Sequence, residues 1–279
     1  MRKIDLPEFT AADVFSTCIS KVRNKDLKTR FQAILPHITS AEEKYRKLAT
    51  DSKLYTFKDD LCSKTNVTLE EMKAVYTQRM ANSGGPGYET YNALKRGTFN
   101  RTCPICGQRK VSTLDHFLPK ALYPSVVVTP INLVPACPEC NKIKLDDDPE
   151  SSEEETLHPY FDDLGRDRFL FAEIIKDNPP VVNFYIQPPV AWNKVLTEKV
   201  KNHFNCFDLN ILYSLHAVDE IVGQAEYWTQ LSKNELKEQL AFQAESRKKA
   251  HPNSWQTAFY EGASQDDWFC TKGYKEFIE

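Results

Sequence analysis

The 279-residue chain is 41% hydrophobic and 27% charged, with 36 basic and 39 acidic side chains and a formal net charge of −3. This is the balance of an ordinary globular protein, and sixteen Phe, twelve Tyr and four Trp can fill a core without a disulfide scaffold. Apolar runs such as Val126 to Val128 and Ile211 to Leu215 are far too short to cross a bilayer, and the start Met1-Arg2-Lys3-Ile4 has no signal-peptide stretch, so a cytoplasmic protein without membrane contact is expected.

Residues 1–95 read as helical. Thr10-x-x-Asp13 opens an apolar-periodic run through Val14, Phe15, Cys18, Ile19 and Val22, which is expected to continue towards Phe31 and to stop by Pro36. Ser40-x-x-Glu43 and Thr68-x-x-Glu71 have the form of capping boxes opening two more helices. Ser83-Gly-Gly-Pro-Gly87 is a loop. It lacks the Gly-Lys-Ser/Thr ending and the preceding apolar strand of a phosphate cradle.

Residues 96–165 are loop-rich, with short strands and one helix expected. Here lie Cys103-Pro-Ile-Cys106 and Cys137-Pro-Glu-Cys140, two Cys-x-x-Cys knuckles. A tight turn brings positions i and i+3 of each knuckle together, so two knuckles complete a tetrahedral shell of four thiolates around Zn²⁺ and leave no position for water. Such a site is structural, and in small metal-dependent folds zinc contributes roughly 10–16 kcal/mol to folding. The remaining cysteines (Cys18, Cys62, Cys206 and Cys270) are scattered through apolar, helix-like stretches and read as small buried hydrophobes. Between Gly97 and Lys144 stand six basic residues (Arg101, Arg109, Lys110, Lys120, Lys142, Lys144) against Asp115 and Glu139, so the acidic total does not exclude a nucleic-acid ligand. From Leu145 to Asp163 there are nine acidic residues and no Lys or Arg. The block Asp146 to Glu155 reads as a solvated loop, with a phosphate-mimicking flap as the sharper alternative.

Residues 166–279 begin with two apolar runs, Arg168 to Ile175 and Val181 to Ile186, split by Asp-Asn-Pro-Pro, the pattern of a β-hairpin. Helices are expected from Ala191 onward, one opened by Ser232-x-x-Glu235. The fold class is mainly α with a small α+β insert.

The chemistry-bearing residues sit around the knuckles. Leu114-Asp115-His116-Phe-Leu-Pro119 follows the first, Asn132 precedes the second, and Asn141-x-x-Lys144 directly follows Cys140. Phosphodiester hydrolysis needs a base for water, which histidine supplies near neutral pH, and a hard cation held by oxygen donors. A carboxylate and an amide oxygen suit Mg²⁺ or Mn²⁺.

Cys103 to Lys144 resembles the HNH (ββα-metal) nuclease family in its subgroup with a four-cysteine zinc site, whose pattern is CxxC, (D/E)HxxP, N, CxxC(H/N)xxK. All elements occur in order, with Asn141 at the variable last position. The resemblance implies a zinc-stapled ββα core flanked by helical regions, with His116 as general base and Asp115 and Asn141 as ligands of a catalytic Mg²⁺ or Mn²⁺. Asn132 would brace the loop that orients His116, Pro119 would end the turn after the histidine strand, and Lys144 would face phosphate or steady the helix. Lys142 and Lys120, with Arg109 and Arg101, are candidate contacts to a DNA or RNA backbone. Beyond the core, Met1-Arg-Lys-Ile4, Tyr123-Pro124 and His158-Pro-Tyr-Phe-Asp162 are similar to PtuB, the HNH family of Septu and retron antiphage defence. That similarity implies a PtuA-type ATPase partner, and in retron systems a reverse transcriptase with its RNA–DNA hybrid. His158 would support the site from behind or simply end a helix. A zinc-ribbon adaptor without catalysis is the rival from another class. A homing or restriction enzyme is a third reading, and no base-reading element supports it.

Overall fold

The computed structural model describes residues 1–144 and 149–278. Two compact units divide it, Met1–Asp163 and Leu164–Glu279. The described residues are mainly helical, with two small antiparallel sheets among them.

In the first unit, α1 (Ala11–Ile19) starts where expected: the Thr10 side chain accepts the Asp13 N–H at 3.2 Å. The Ala11 N–H is met by the Glu42 carboxylate at 2.8 Å, a negative charge at the positive end of the helix. The expected long run is broken, because α2 (Lys25–Ala33) has its own cap, Asn24, and α3 (Leu35–Thr50) follows at once. Pro36 therefore does not end a helix. It lies in the first turn of α3, where its fixed φ fits and its missing N–H costs nothing. Ser40, expected as a cap, consequently falls inside α3.

After the short α4 (Leu61–Lys64), α5 (Leu69–Ala74) carries the complete capping box of Thr68 and Glu71. Glu71 also takes a two-pronged ion pair from Arg30 of α2, which holds its carboxyl down at about 2. A π-helical turn, Val75–Met80, continues α5 and ends in the glycine loop. Gly87 donates to the Arg79 carbonyl at 2.9 Å, and a Cβ on Gly85 would lie 2.3 Å from that same oxygen. The glycines therefore let the chain close over a wide helical turn before α6 (Tyr88–Arg96).

Strands β1 (Thr113–His116) and β2 (Leu133–Ala136) pair antiparallel, His116 opposite Leu133 and Asp115 opposite Val134. Helix α7 (Pro138–Lys144) follows β2 and packs against β1. Leu114, Val127, Val128 and Leu133 enter the same core as Val14, Phe15, Phe31, Ile38 and Met72, so the N-terminal helices and the strand–strand–helix element share one apolar interior. Of the acidic block, Asp146, Asp147 and Asp148 lie outside the described residues. Glu155 departs from the solvated-loop expectation: it is buried, and its Oε1 accepts the Tyr55 N–H at 2.9 Å.

In the second unit, β3 (Leu170–Ile175) and β4 (Val181–Ile186) form the expected hairpin, Leu170 opposite Ile186. Helices α8 (Lys194–Cys206), α9 (Leu209–Trp228), α10 (Lys233–Ala250), α11 (Trp255–Gln265) and α12 (Asp267–Thr271) follow. Ser232 and Glu235 form the second complete capping box, opening α10. Among the described residues, no helix is long and apolar enough to cross a membrane.

Candidate functional site

Cys103, Cys106, Cys137 and Cys140 are all buried, and their sulfurs lie within 4.8 Å of one another. No disulfide joins them. The first knuckle is closed by the Gly107 N–H donating to the Cys103 carbonyl at 2.8 Å, with Gly107 in the left-handed region at φ 68°. Main-chain N–H groups are aimed at the sulfurs as well, Arg109 at Cys106 (3.5 Å) and Cys140 at Cys137 (3.4 Å). The four thiols pull one another's ionisation apart. Hydrogen bonds from the other three hold Cys106 far below the ordinary thiol range, while the same crowding pushes Cys137 and Cys140 far above it. Four sulfurs this close become thiolates together only around a cation, and the donor set fits a structural zinc.

His116 ends β1 and is 6% exposed. Its Nε2 lies 2.9 Å from the Val127 carbonyl oxygen. A carbonyl only accepts, so Nε2 carries the hydrogen and Nδ1 keeps its lone pair. Burial lowers the imidazole to about 3, against the bond to Val127 that favours the proton; the Lys120 and Lys144 charges lower it further. The ring is therefore neutral at physiological pH. Tyr76 packs edge-on against it, centroids 4.4 Å apart, while its hydroxyl donates to the Leu114 carbonyl at 3.3 Å.

Asn132, fully buried, ties the segment between β1 and β2 to itself. Its Oδ1 accepts the Leu118 N–H at 2.7 Å, and its Nδ2 donates to the carbonyls of Leu118 (3.2 Å) and Val126 (3.1 Å). Val126 precedes the residue whose carbonyl fixes His116, so one amide side chain sets the position of the histidine's hydrogen-bond acceptor.

Asp115 is 5% exposed, and burial raises its carboxyl to about 6, opposed by the Lys144 charge and by the His116 N–H. Lys144 Nζ stands 4.0 Å from Asp115 Oδ2 and donates to the carbonyls of His116 (3.1 Å) and Phe117. The ammonium is thus directed inward, joining the end of α7 to the end of β1. Consecutive strand residues diverge, and Asp115 and His116 accordingly meet different partners. Asn141, half-buried on α7, lies one helical turn before Lys144 and shares its side of the helix. Asp115 carries a carboxylate and Asn141 an amide oxygen, both donors of the hard type. Lys120 is half-buried, and its charge is felt by both Asp115 and His116. Lys142 is exposed, and Arg109 leans towards Glu139 at 3.9 Å.

Two contributors, Tyr76 and Val127, carry no local sequence signal. Tyr76 comes from the π-helical turn, and Val127 acts through its main chain. His158 is buried behind the site, its ring stacked on Phe117 at 4.1 Å and its Nε2 2.9 Å from the Tyr45 hydroxyl, so it meets the strand end through Phe117.

No family model matches the chain, and no solved structure matches it. Among curated proteins, Protein ea31 of Escherichia phage lambda is 25% identical over 237 residues, covering 80% of this chain and 80% of its own.

Proposed function

We propose that the chain is a metal-dependent nuclease of the HNH type, hydrolysing phosphodiester bonds of DNA or RNA at His116. One observation carries the reading: a neutral histidine at a strand end whose Nε2–H is committed to the Val127 carbonyl, leaving Nδ1 as the proton acceptor. In this reading Nδ1 takes the proton from the attacking water, and the new positive charge on the ring is shared with Val127 through Nε2–H. Asn132 keeps that carbonyl in place, and Lys144 keeps the ends of β1 and α7 together. A divalent ion held by Asp115 and Asn141 would supply charge neutralisation at the scissile phosphate and the leaving oxygen. The four cysteines supply a zinc staple and no open coordination position.

The resemblance to PtuB extends the proposal to an effector of antiphage defence, working with a PtuA-type ATPase and, in a retron setting, with a reverse transcriptase and its RNA–DNA hybrid. A similar chain in a phage does not favour the defence role.

A second reading has its own observation. Asp115 and His116 are 5% and 6% exposed, the burial of a structural pair. In that reading the chain is a zinc-ribbon adaptor that binds nucleic acid or protein without cutting. Purified wild type and His116→Ala, incubated with plasmid DNA and total RNA plus Mg²⁺ or Mn²⁺, with and without the ATPase, separate the two. The nuclease reading expects cleavage reduced about 10²–10⁴-fold in the variant. No cleavage by folded, zinc-loaded wild type under any condition supports the adaptor, and equal cleavage by both proteins removes His116 from the mechanism.

A further inference from the structure

Beside the first cysteine knuckle lies a cavity of about 170 Å³, whose lining includes Arg2, Lys3, Asp5, Thr98, Phe99 and Pro104. Two features set it apart from ordinary surface. The Phe99 ring is 80% exposed at its rim, whereas most aromatic rings of this unit are buried. Thr98 is 7% exposed, and its Oγ1 is buried without a hydrogen-bond partner. A buried hydroxyl left unpaired costs free energy that a ligand group bonding to it would recover.

The surroundings are basic. Residues 95–110 contain Lys95, Arg96, Arg101, Arg109 and Lys110 and no acidic side chain. Arg101 and Lys110 are exposed: Arg101 stands two residues after Phe99, and Lys110 Nζ donates to the carbonyl of Asn100, the residue next to Phe99, at 3.0 Å. Lys3, also in the lining, pairs with Asp163 at 2.8 Å, but both are exposed. Such a pair contributes little, so Lys3 can exchange its partner for a phosphate.

We propose that this cavity binds single-stranded nucleic acid: one unpaired base stacks on Phe99, its edge or sugar hydroxyl bonds Thr98 Oγ1, and the flanking phosphates lie on Arg101, Lys110 and Lys3. An exposed aromatic ring in a basic groove is how proteins hold single strands, because every base has a face to stack. A duplex keeps its bases stacked on one another and offers no face to a lone ring. The proposal rests on nucleic acid being the ligand of this chain, not on cleavage, and an adaptor would use the cavity equally well.

The test measures fluorescence anisotropy of labelled oligothymidylate, oligouridylate and a mixed-sequence duplex with the full zinc-loaded chain in Mg²⁺-free buffer. Tighter binding of a single strand than of the duplex is expected. Phe99→Ala should weaken single-strand binding roughly 5- to 150-fold, the worth of one base–aromatic stack, and Phe99→Trp should preserve it. Arg101→Gln should make the salt dependence shallower by about one phosphate contact, a slope change of roughly 0.7 for a single strand. Because the ring is exposed, far-ultraviolet circular dichroism and zinc content should be unchanged in the Phe99 variants. Equal affinity of wild type and Phe99→Ala, or no single-strand binding by the folded wild type, overturns the proposal. Cleavage is read separately with His116→Ala, so the failure of one reading is distinguishable from the failure of the other.

Discussion

At the residue scale, the neighbours Asp115 and His116 are displaced by burial in opposite senses, and their effects on stability oppose each other. Folded His116 stays neutral down to about pH 3, whereas its unfolded value is 6.5. Between these the unfolded chain binds more protons, so the histidine's contribution is present above 6.5 and is lost as pH falls towards 3. Asp115 is raised from 3.8 to about 6, so its folded form holds a proton that the unfolded form gives up, and its contribution is lost as pH rises through that window. The two slopes cancel where the windows overlap. Asp115→Asn leaves only the histidine, so its stability should fall more steeply than that of wild type as pH drops from 6.5 towards 4. Urea midpoints at stepped pH in Mg²⁺-free buffer measure this, and parallel curves for the two proteins would contradict the burial argument.

At the scale of elements, β1, β2 and α7 are too short to be stable alone. A two-stranded hairpin in water is marginal and a seven-residue helix is below the length at which helices persist. The four sulfurs tie the segment before β1 to the turn between β2 and α7, so a cation there acts as the cross-link this small element needs. One zinc per chain is expected by elemental analysis. Removing it with a strong chelator, or replacing Cys140 with Ser, should greatly increase amide hydrogen exchange across residues 102–144, while α9 to α11 in the other unit keep their protection. Unchanged exchange around the knuckles would show that packing alone maintains the hairpin. In the second unit the corresponding constraint is steric. A Cβ on Gly262 of α11 would lie 2.2 Å from the Ala172 carbonyl of β3, so the helix sits against the sheet at a distance that only glycine permits.

At the scale of the whole molecule, the first unit has its own apolar interior, running from Ala11 to Leu133 and including both strands of the candidate site. Residues 1–163 expressed alone should therefore fold cooperatively and retain zinc. A fragment that is unfolded by circular dichroism in the presence of zinc would count against that autonomy. The sequence alone determined whatever depends on short spacing: the cysteine knuckles, the capping boxes at Thr68 and Ser232, the hairpin of β3 and β4, and the mainly helical class. These are set by contacts three or four residues apart or by strict alternation, which periodicity displays directly. Where competing local rules met, the reading failed: Pro36 was expected to stop a helix and instead begins one, and Ser40 was expected to cap a helix and lies within it. Only the tertiary structure decided the environment of His116. The Val127 carbonyl, the Tyr76 ring and the inward ammonium of Lys144 all come from residues distant in sequence, and elsewhere so does the Tyr55 N–H that meets buried Glu155. Their effect depends on direction and desolvation, and neither property is written in the order of side chains until the chain has closed around them.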